Sequence, residues 1–306
     1  MCAVWIDLED PTRLQLEKAA PADLHPRALE LLERESRHGD DPRPTLEGHG
    51  DYVFGLFLVP QVQPDREVIY REIDIILTSD TLMTVRKRGA DGGDPFHCTS
   101  LENMHEKRLE VAKPGLIAYQ LLDDVAEGFL DLTDGLNEEI DELEDHVDDL
   151  PNEVVRKRLS DLRHDFLHIR KVLSPTRDAI HRVVDNRVDT DDEHEELFPH
   201  EIELHFADVY DKLLRASEAL ELSRDLVAGV RDYHQSKISN DQNEVMKRLT
   251  VVASILLPPT FIVGLYGQNL KGVPEFHWRY GYAWSWALII VLTIGQLVYM
   301  RRKRWI

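Results

Sequence analysis

Two uncharged stretches near the C-terminus, residues 249–269 and 280–300, constrain the fold of this chain more than any other feature. Each stretch is long enough to cross a bilayer core of about 30 Å at about 1.5 Å per helical residue. Pro258 and Pro259 lie in the first stretch, but a transmembrane helix tolerates proline where neighbouring groups bind the freed carbonyls. We therefore predict a membrane hairpin, with a first span at about 249–269, an outer loop at 270–279 and a second span at 280–300.

Basic residues flank this hairpin on one side of the predicted membrane. Lys247 and Arg248 precede the first span, and a basic run at 301–304 follows the second. The positive-inside rule places both chain ends in the cytosol, with 301–306 as a basic tail. The first residues, MCAVWIDLEDP, lack the basic and apolar regions of a signal peptide, so we expect none. These features are equally consistent with a two-span anchor for a cytosolic domain.

The charge is distributed very unevenly along the chain. The 306 residues carry 57 acidic and 36 basic side chains, for a formal charge of −21. From Met246 onward there are eight basic residues and one acidic residue, so the preceding part carries 28 basic and 56 acidic residues. This acidity argues against nucleic acid as a partner, because such binding depends on phosphate neutralisation. Two cysteines, Cys2 and Cys98, exclude a disulfide framework and fit a reducing compartment.

Residues 1–115 have the mixed pattern of a cytosolic α/β domain. Leu24 to Arg37 has helical spacing of apolar residues, whereas Tyr52–Val59 and Val68–Val85 are rich in β-formers. In 72–77 the apolar residues partly alternate, as in a half-buried strand. A loop rich in Gly, Asp and Pro at 89–95 closes this strand region.

Residues 116–269 are predicted to be almost entirely helical. Apolar residues recur at three and four residues through 136–147, and Pro151 marks a sharp turn. We therefore predict antiparallel stalk helices within 116–200. From 201 to 269 no proline or glycine pair stops the helix before the membrane, which predicts one stalk helix of about 100 Å continuous with the first span. So long a helix cannot bury its surface alone, which indicates a homo-oligomer.

A stripe of small, polar or unbranched residues follows one face of the first span and the helix before it. Its members are Asn243, Met246, Leu249, Ala253, Leu257, Thr260 and Gly264. The stripe leads to Gly267-Gln268-Asn269 at the outer end. Small residues often form packing seams between membrane helices, so a seam and a pore lining both remain open. The amide oxygen of Asn269, beside exposed backbone carbonyls, can face a cation.

Enzyme signatures are weak. His164 and His168 have the i, i+4 spacing of a zinc pair, but the residues between them lack the glutamate of an HExxH motif. The sequence contains no nucleophile elbow, P-loop or GxGxxG motif. We therefore predict that the chain is not an enzyme and has no prosthetic group.

The combination of these features resembles the CorA-type two-span transporters of divalent cations. That family is marked by a Gly-Met-Asn-type tripeptide at the outer end of the first span, where this chain has Gly-Gln-Asn at 267–269. The outer loop reads Val-Pro-Glu-Phe at 273–276, similar to the family's Met-Pro-Glu-Leu. The resemblance continues upstream in His25-Pro26, Arg43-Pro44, Asp51–Phe54, Glu139–Glu144, Asp208–Asp211 and Arg224–Gly229.

The resemblance implies an α+β membrane protein that forms a homopentamer in the lipid bilayer. Each subunit would have an N-terminal α/β cytosolic domain, a long helical stalk that contributes to a funnel, and two C-terminal transmembrane helices. It would be a multi-pass protein of the cell membrane (the inner or plasma membrane) with cytosolic termini. Its substrate would be a divalent cation, most simply Mg²⁺ but also Co²⁺ or Ni²⁺, which also serves as a regulator in the family.

The same resemblance implies roles for individual residues. Asn269, Gln268 and the Gly267 carbonyl would form an outer ring that binds a hydrated cation, which suits Mg²⁺ because it dehydrates reluctantly. Glu275 would attract cations to the mouth. The remaining pore positions would be the polar residues Thr260 and Asn243, the hydrophobic gate Met246, Leu249 and Leu257, and Gly264.

Two departures from the family pattern leave specificity and regulation open. Gln268 replaces the usual methionine, and the zinc-transporting branch also varies there, although this chain retains the loop acid Glu275. In the family, two acids from neighbouring subunits bind a regulatory Mg²⁺. Asp208 matches one of them, whereas the other position is Leu31, so that only the adjacent Glu30 can substitute. The alternatives are a proton-coupled Zn²⁺ transporter and a non-conducting membrane scaffold.

Overall fold

The computed structural model describes residues 4–20, 24–35, 41–64, 66–98, 113–188, 197–268, 278–303 and 305. The chain divides into two compact units, Met1–Arg231 and Asp232–Ile306.

A mixed β-sheet forms the centre of the first unit. Its described strands are β1 (Val4–Glu9), β2 (Thr45–Gly48), β3 (Val53–Val62), β4 (Val68–Leu77) and β5 (Thr81–Arg86). They lie in the order β1-β5-β4-β3-β2, with β1 parallel to β5 and the other neighbours antiparallel. The tight β4–β5 connection is fixed by Thr78, whose hydroxyl accepts a hydrogen bond from the backbone amide of Thr81 at 3.0 Å.

Helices cover both faces of this sheet. On one face α1 (Arg13–Ala19) and α2 (Pro26–Glu33) pack through Leu16 and Leu32 against a core that contains Phe54. On the other face Phe57 belongs to a larger core shared with three later helices. The predicted N-terminal α/β domain is therefore a three-layer structure. The prediction that residues 72–77 form a strand is confirmed, but the prediction that this strand is half-buried was wrong. The strand β4 is buried on both faces, because α1 and α2 cover the side that its acidic residues occupy.

The larger core is built by α3 (Pro114–His146) and α4 (Asn152–Val184), which are joined by a turn at 147–151. Apolar residues at three- and four-residue spacing face this core along both helices. Glu139 of α3 accepts hydrogen bonds from Arg158 of α4, with Arg158 Nη2 at 2.5 Å from Glu139 Oε2. This ion pair fixes the register of the antiparallel hairpin.

Two further helices complete the described chain. The helix α5 runs from His200 to Tyr266 without interruption, although Pro258 and Pro259 lie inside it. Its N-terminal part joins the larger core through Phe206, Val209 and Leu213. The helix α6 extends from Gly281 to Arg302.

Candidate functional site

Two of the described helices are long and apolar enough to cross a membrane: α5, in its C-terminal part, and α6. Almost none of the side chains in their most apolar windows are buried within the single chain. Phe261 is 71% exposed and Val291 is 69% exposed, which contrasts with the fully buried apolar side chains of the sheet. Such surfaces require lipid or other protein chains around them.

The stripe predicted from the sequence lies on one exposed face of α5. Asn243, Met246, Leu249, Leu257, Thr260 and Gly264 are all exposed, and Ala253 is partly exposed. The more buried residues of the same helix recur on the opposite face, at Val251, Ile255, Pro258, Ile262 and Tyr266. The stripe is therefore turned away from the side of the helix that is buried within its own chain.

Thr260 is the polar side chain of the stripe within the first span. Its hydroxyl donates a hydrogen bond to the carbonyl oxygen of Leu256 at 2.7 Å. This bond satisfies the hydroxyl proton inside the helix and leaves the oxygen lone pairs available as acceptors. Thr260 can thus present an oxygen to water or to a hydrated cation without leaving a donor unpaired.

The helical part of the first span ends at Tyr266, and the Gly-Gln-Asn tripeptide begins immediately after it. Gly267 donates its backbone N–H to the carbonyl of Val263 at 2.9 Å, and Gln268 donates its own to Leu265 at 3.3 Å. Gly267 and Gln268 are both exposed. Asn269 and Glu275, the two other residues predicted for the outer mouth, lie outside the described residues.

Asp208 and Glu30, the candidate regulatory ligands, are both exposed. They belong to helices in opposite layers of the first unit, because α2 packs on one face of the sheet and the start of α5 joins the core on the other. Within the described part of the chain, no group of three or more His, Cys, Asp or Glu side chains is positioned to bind a metal ion. A cation bound by both residues would therefore need two copies of the chain.

The sequence patterns did not indicate a role for Lys212, whose one signal is its position four residues after Asp208. Its Nζ lies 2.8 Å from Asp123 Oδ1 and 2.8 Å from Glu127 Oε2 on α3. Partial burial lowers the pKa of Lys212, but hydrogen bonds to these carboxylates outweigh it, and the pKa is raised. The ammonium group thus neutralises two acids close to Asp208, and those acids are not free to bind a cation.

Among the described residues, the histidine pair of α4 is not part of a group positioned to bind a metal ion. His168 Nε2 lies 3.0 Å from Asp41 Oδ2, and its ring contacts the Tyr70 ring edge-on at a centroid distance of 5.2 Å. His164 is exposed. His168 therefore links α4 to the segment before β2.

Comparison with known families gives a match over almost the whole chain. A family model described as "CorA-like Mg2+ transporter protein" matches residues 3–302. This range includes the sheet, the helical hairpin and both candidate spans.

Individual relatives and solved structures agree with this match. The chain is 28% identical over 270 residues to the cobalt/magnesium transport protein CorA of Thermotoga maritima, covering 86% of this chain and 73% of that protein. It is 24% identical over 285 residues to the zinc transport protein ZntB of Yersinia pseudotuberculosis, covering 89% and 80%. The complete structure of the CorA magnesium transporter from Methanocaldococcus jannaschii superposes with a TM-score of 0.78 and 21% identity, over 99% of this chain and 91% of that one. This superposition confirms the predicted fold class.

Proposed function

This chain belongs to the CorA-like Mg²⁺ transporter family, and from that premise we propose that it forms a homopentameric pore for Mg²⁺ in the cell membrane. The family consists of channel-like transporters, so the chain is a divalent-cation transporter and not an enzyme. In the proposal Mg²⁺ moves down its electrochemical gradient, and Co²⁺ and Ni²⁺ use the same path. Both termini lie in the cytosol. The cytosolic part comprises 1–115, 116–200 and the stalk portion of 201–269, and 270–279 connects the spans outside.

The observation that carries this proposal is the exposed stripe of α5 leading to Gly267-Gln268-Asn269. Five copies arranged with the stripe inward bring five Asn269 amides and five Gly267 carbonyls to one end of the pore. Amide and carbonyl oxygens are hard ligands that hydrogen-bond the water shell of Mg²⁺ without stripping it. Gln268 adds a second amide where the family commonly has a thioether, and Glu275 raises the local cation concentration.

Further along the stripe, polar and apolar positions have different roles in the proposed pore. Thr260 and Asn243 provide polar rings, whose oxygen atoms stabilise the hydrated ion. Met246, Leu249 and Leu257 form apolar constrictions that close by dewetting when the helices move together. Gly264 lets neighbouring helices approach closely.

Cytosolic regulation in this proposal uses Asp208 of one subunit and Glu30 of its neighbour. Both are exposed and lie in opposite layers of the chain, so a contact between copies is needed to bring them together. The side chain of Leu31 has no ligating atom, although it occupies the position that carries an acid in the family. We therefore expect the bound regulatory cation to be held more weakly than by two aspartates.

Proton-coupled Zn²⁺ transport is the second candidate function. It is favoured by two observations: the similarity to a zinc transport protein over 89% of this chain, and the presence of Gln268 in place of methionine. In this alternative the pore architecture is retained, and flux depends on an inward proton gradient. A third alternative is a non-conducting scaffold that keeps the fold without the ion path.

Flux into proteoliposomes tests the proposal. The full chain is reconstituted, and entry of Mg²⁺ and of Zn²⁺ is followed with and without an inward proton gradient. Mg²⁺ entry that is independent of the gradient is expected. Zn²⁺ entry that increases with the gradient supports the second candidate, and absence of both fluxes supports the scaffold.

The outer ring is tested by Asn269→Ala, which is expected to abolish Mg²⁺ flux while the pentamer persists in light scattering. The control is Asn240→Ala, which removes an exposed asparagine of α5 that lies before the predicted membrane span. Normal conduction by Asn269→Ala would exclude the outer-ring mechanism.

A further inference from the structure

A basic groove lies between α4 and the N-terminal half of α5, within the unit Met1–Arg231. Its volume is about 360 Å³. Its buried apolar floor includes Leu159, Phe166, Leu220 and Val227, and its rim carries Arg163, Arg170, Arg224 and Arg231. Among the described residues that line it, Glu221 is the one acid. We call this feature the arginine groove.

The arginine groove is an exception in a strongly acidic part of the chain. Residues before Met246 carry 56 acids against 28 basic residues. Arg163 and Arg170 are two helical turns apart on one face of α4, both are exposed, and neither forms an ion pair with a described residue. The guanidinium groups of Arg163 and Arg170 above this apolar floor favour a partner with several carboxylates in a row.

Such a row exists on α3 of the same chain. Its members recur at three and four residues, and each is exposed: Asp131, Asp134, Glu138, Asp141 and Asp145. We call this row the acidic stripe. It is opposite the buried face of α3, which contains Phe129, Leu132, Leu136, Ile140 and Leu143. No ion pair links any member to another described residue, whereas Glu139 and Glu142, outside the stripe, bind arginines.

The acidic stripe cannot reach the arginine groove of its own chain, because it faces away from the core that α3 shares with α4 and α5. A second copy can supply it. In a head-to-tail contact one surface meets a different surface of the next copy, and repetition of this contact by rotation closes a ring. The acidic stripe and the arginine groove are two such different surfaces.

The hairpin register shows that the first part of the acidic stripe, Asp131 to Glu138, lies at the same height as the arginine groove. Glu139 of α3 pairs with Arg158 of α4. Because the helices are antiparallel, Asp134, five residues before Glu139, is level with Arg163, five residues after Arg158. In a ring whose axis is parallel to these helices, rotation preserves height, and Asp134 of one copy is then level with Arg163 of the next. By the same count Asp131 is level with Phe166, between the two arginines of α4.

We infer that the acidic stripe of one subunit docks on the arginine groove of the next subunit around the ring. This inference rests on the homopentamer proposed above and assigns the surfaces that join its cytosolic parts. Each contact places carboxylates of one copy beside guanidinium groups of the other, which offsets the mutual repulsion of highly acidic subunits.

Cross-linking between two differently tagged copies tests the inference. One copy carries Asp134→Cys and the other Arg163→Cys, both in the full chain with Cys2→Ser and Cys98→Ser. The copies are co-expressed and treated with a bifunctional thiol reagent that spans roughly one helix diameter of 10 Å. Because each copy has one cysteine, a product that carries both tags reports a contact between subunits. The control pairs Arg163→Cys with Asp149→Cys, an exposed acid in the turn about 20 Å further along the hairpin.

The Asp134–Arg163 pair is expected to give at least tenfold more two-tag product than the Asp149–Arg163 pair. Equal or negligible yields in a sample that is pentameric by light scattering would overturn this inference and leave the proposed function intact. A sample without pentamers would overturn the inference together with the proposed assembly.

Charge exchange provides a second readout. Arg163→Glu with Arg170→Glu is expected to raise at least tenfold the protein concentration at which pentamers dissociate, and Asp131→Lys with Asp134→Lys in the same chain is expected to restore assembly. Failure of the exchange to restore assembly would overturn the inference. A lipid that co-purifies with the protein in native mass spectrometry, and is lost from the Arg163→Glu, Arg170→Glu variant without any effect on assembly, would identify the groove as a site for an anionic lipid instead.

Discussion

Lys87→Met is predicted to destabilise the sheet of the first unit more than any exposed substitution, because Lys87 is the cation of a buried charge cluster. Its Nζ lies 2.5 Å from Glu72 Oε1 and 2.9 Å from Asp74 Oδ2, and donates a hydrogen bond to the Leu31 carbonyl at 2.6 Å. The three charged side chains are at most 4% exposed. Glu72 Oε2 and Asp74 Oδ1 have no hydrogen-bond partner among the described residues. Methionine preserves the length of the side chain but removes the positive charge.

The size of the expected stability loss follows from the two buried carboxylates that Lys87→Met leaves without a cation. Removing one partner of a buried ionic group costs about 3–5 kcal/mol, because the remaining charge is desolvated without compensation. Here two carboxylates lose an ammonium group that lies within 4.0 Å of both. We therefore expect the free energy of opening of β4 and β5 to fall by about 3–5 kcal/mol at pH 8.

The loss should depend on pH. Burial is the main cause that raises the pKa of Asp74 to about 7, Lys87 lowers it, and Glu72 raises it further. Because the folded-state value lies above the ordinary 3.8, the stability that Asp74 contributes is complete below about pH 4 and is lost as pH rises through 7. A shift of about three units corresponds to about 4 kcal/mol. Without Lys87 the pKa of Asp74 rises further, so protonation relieves the variant at low pH.

Hydrogen–deuterium exchange of the full-length protein measures the free energy of opening of β4 and β5. Peptides that cover 68–86 are followed at pH 5 and pH 8 after correction for intrinsic exchange rates, and Lys87→Met is compared with wild type. We expect a loss of about 3–5 kcal/mol at pH 8 and a clearly smaller loss at pH 5. The control is the uncharged combination Lys87→Met, Glu72→Gln and Asp74→Asn, which should recover part of the loss at pH 8. A loss below about 1 kcal/mol, or equal losses at both pH values, would refute the reasoning.

Two smaller perturbations test the packing that positions the hairpin and the sheet. Arg158→Ala removes the partly buried ion pair with Glu139 and should lower the free energy of opening of the α3–α4 hairpin by about 1–2 kcal/mol. Hydrogen exchange measures this change, and unchanged protection would show that apolar packing alone fixes the register. Gly55→Ala would bring a Cβ within 2.6 Å of Ile75 Cγ1, so a loss of about 1–3 kcal/mol in thermal or denaturant unfolding is expected. Gly135→Ala meets open space and is its control: an equal loss there would contradict the steric argument.

The sequence was most informative where a pattern is local. The absence of charge over 249–269 and 280–300 predicted two membrane spans. In the structure, α5 and α6 are helices long and apolar enough to cross a membrane. Apolar spacing and Pro151 predicted the helical hairpin, whose second helix begins at Asn152. These features depend on residues within one or two helical turns of each other, which is the range that periodicity reports.

The sequence was least informative where distant segments meet. The strand β1 pairs with β5 in parallel, so Val4 lies opposite Thr81, and no short-range signal specifies that pairing. The acids of β4 follow the alternation of a strand with one wet face, yet Glu72 and Asp74 are buried because Lys87 from beyond β5 neutralises them and α2 covers them. The alternation of polar and apolar residues shows which side chains of a strand are polar. It does not indicate whether a residue later in the chain will pair with them.

The choice between a packing seam and a pore lining could not be made from the stripe itself, because both require other copies of the chain. The exposed and buried faces of the first span bear on this choice. The more buried residues of the first span lie opposite the stripe, and the stripe includes the polar side chains Asn243 and Thr260. A polar group directed at lipid within the bilayer core has no partner for its acceptor atoms, and this costs free energy. Asn243 lies before the predicted span, but the Thr260 oxygen is inside it and needs water or a neighbouring subunit. We therefore expect the stripe to face other copies of the chain. Flux through the Asn269→Ala variant separates the two readings, because loss of Mg²⁺ entry with retained assembly is expected of a pore lining and not of a packing seam.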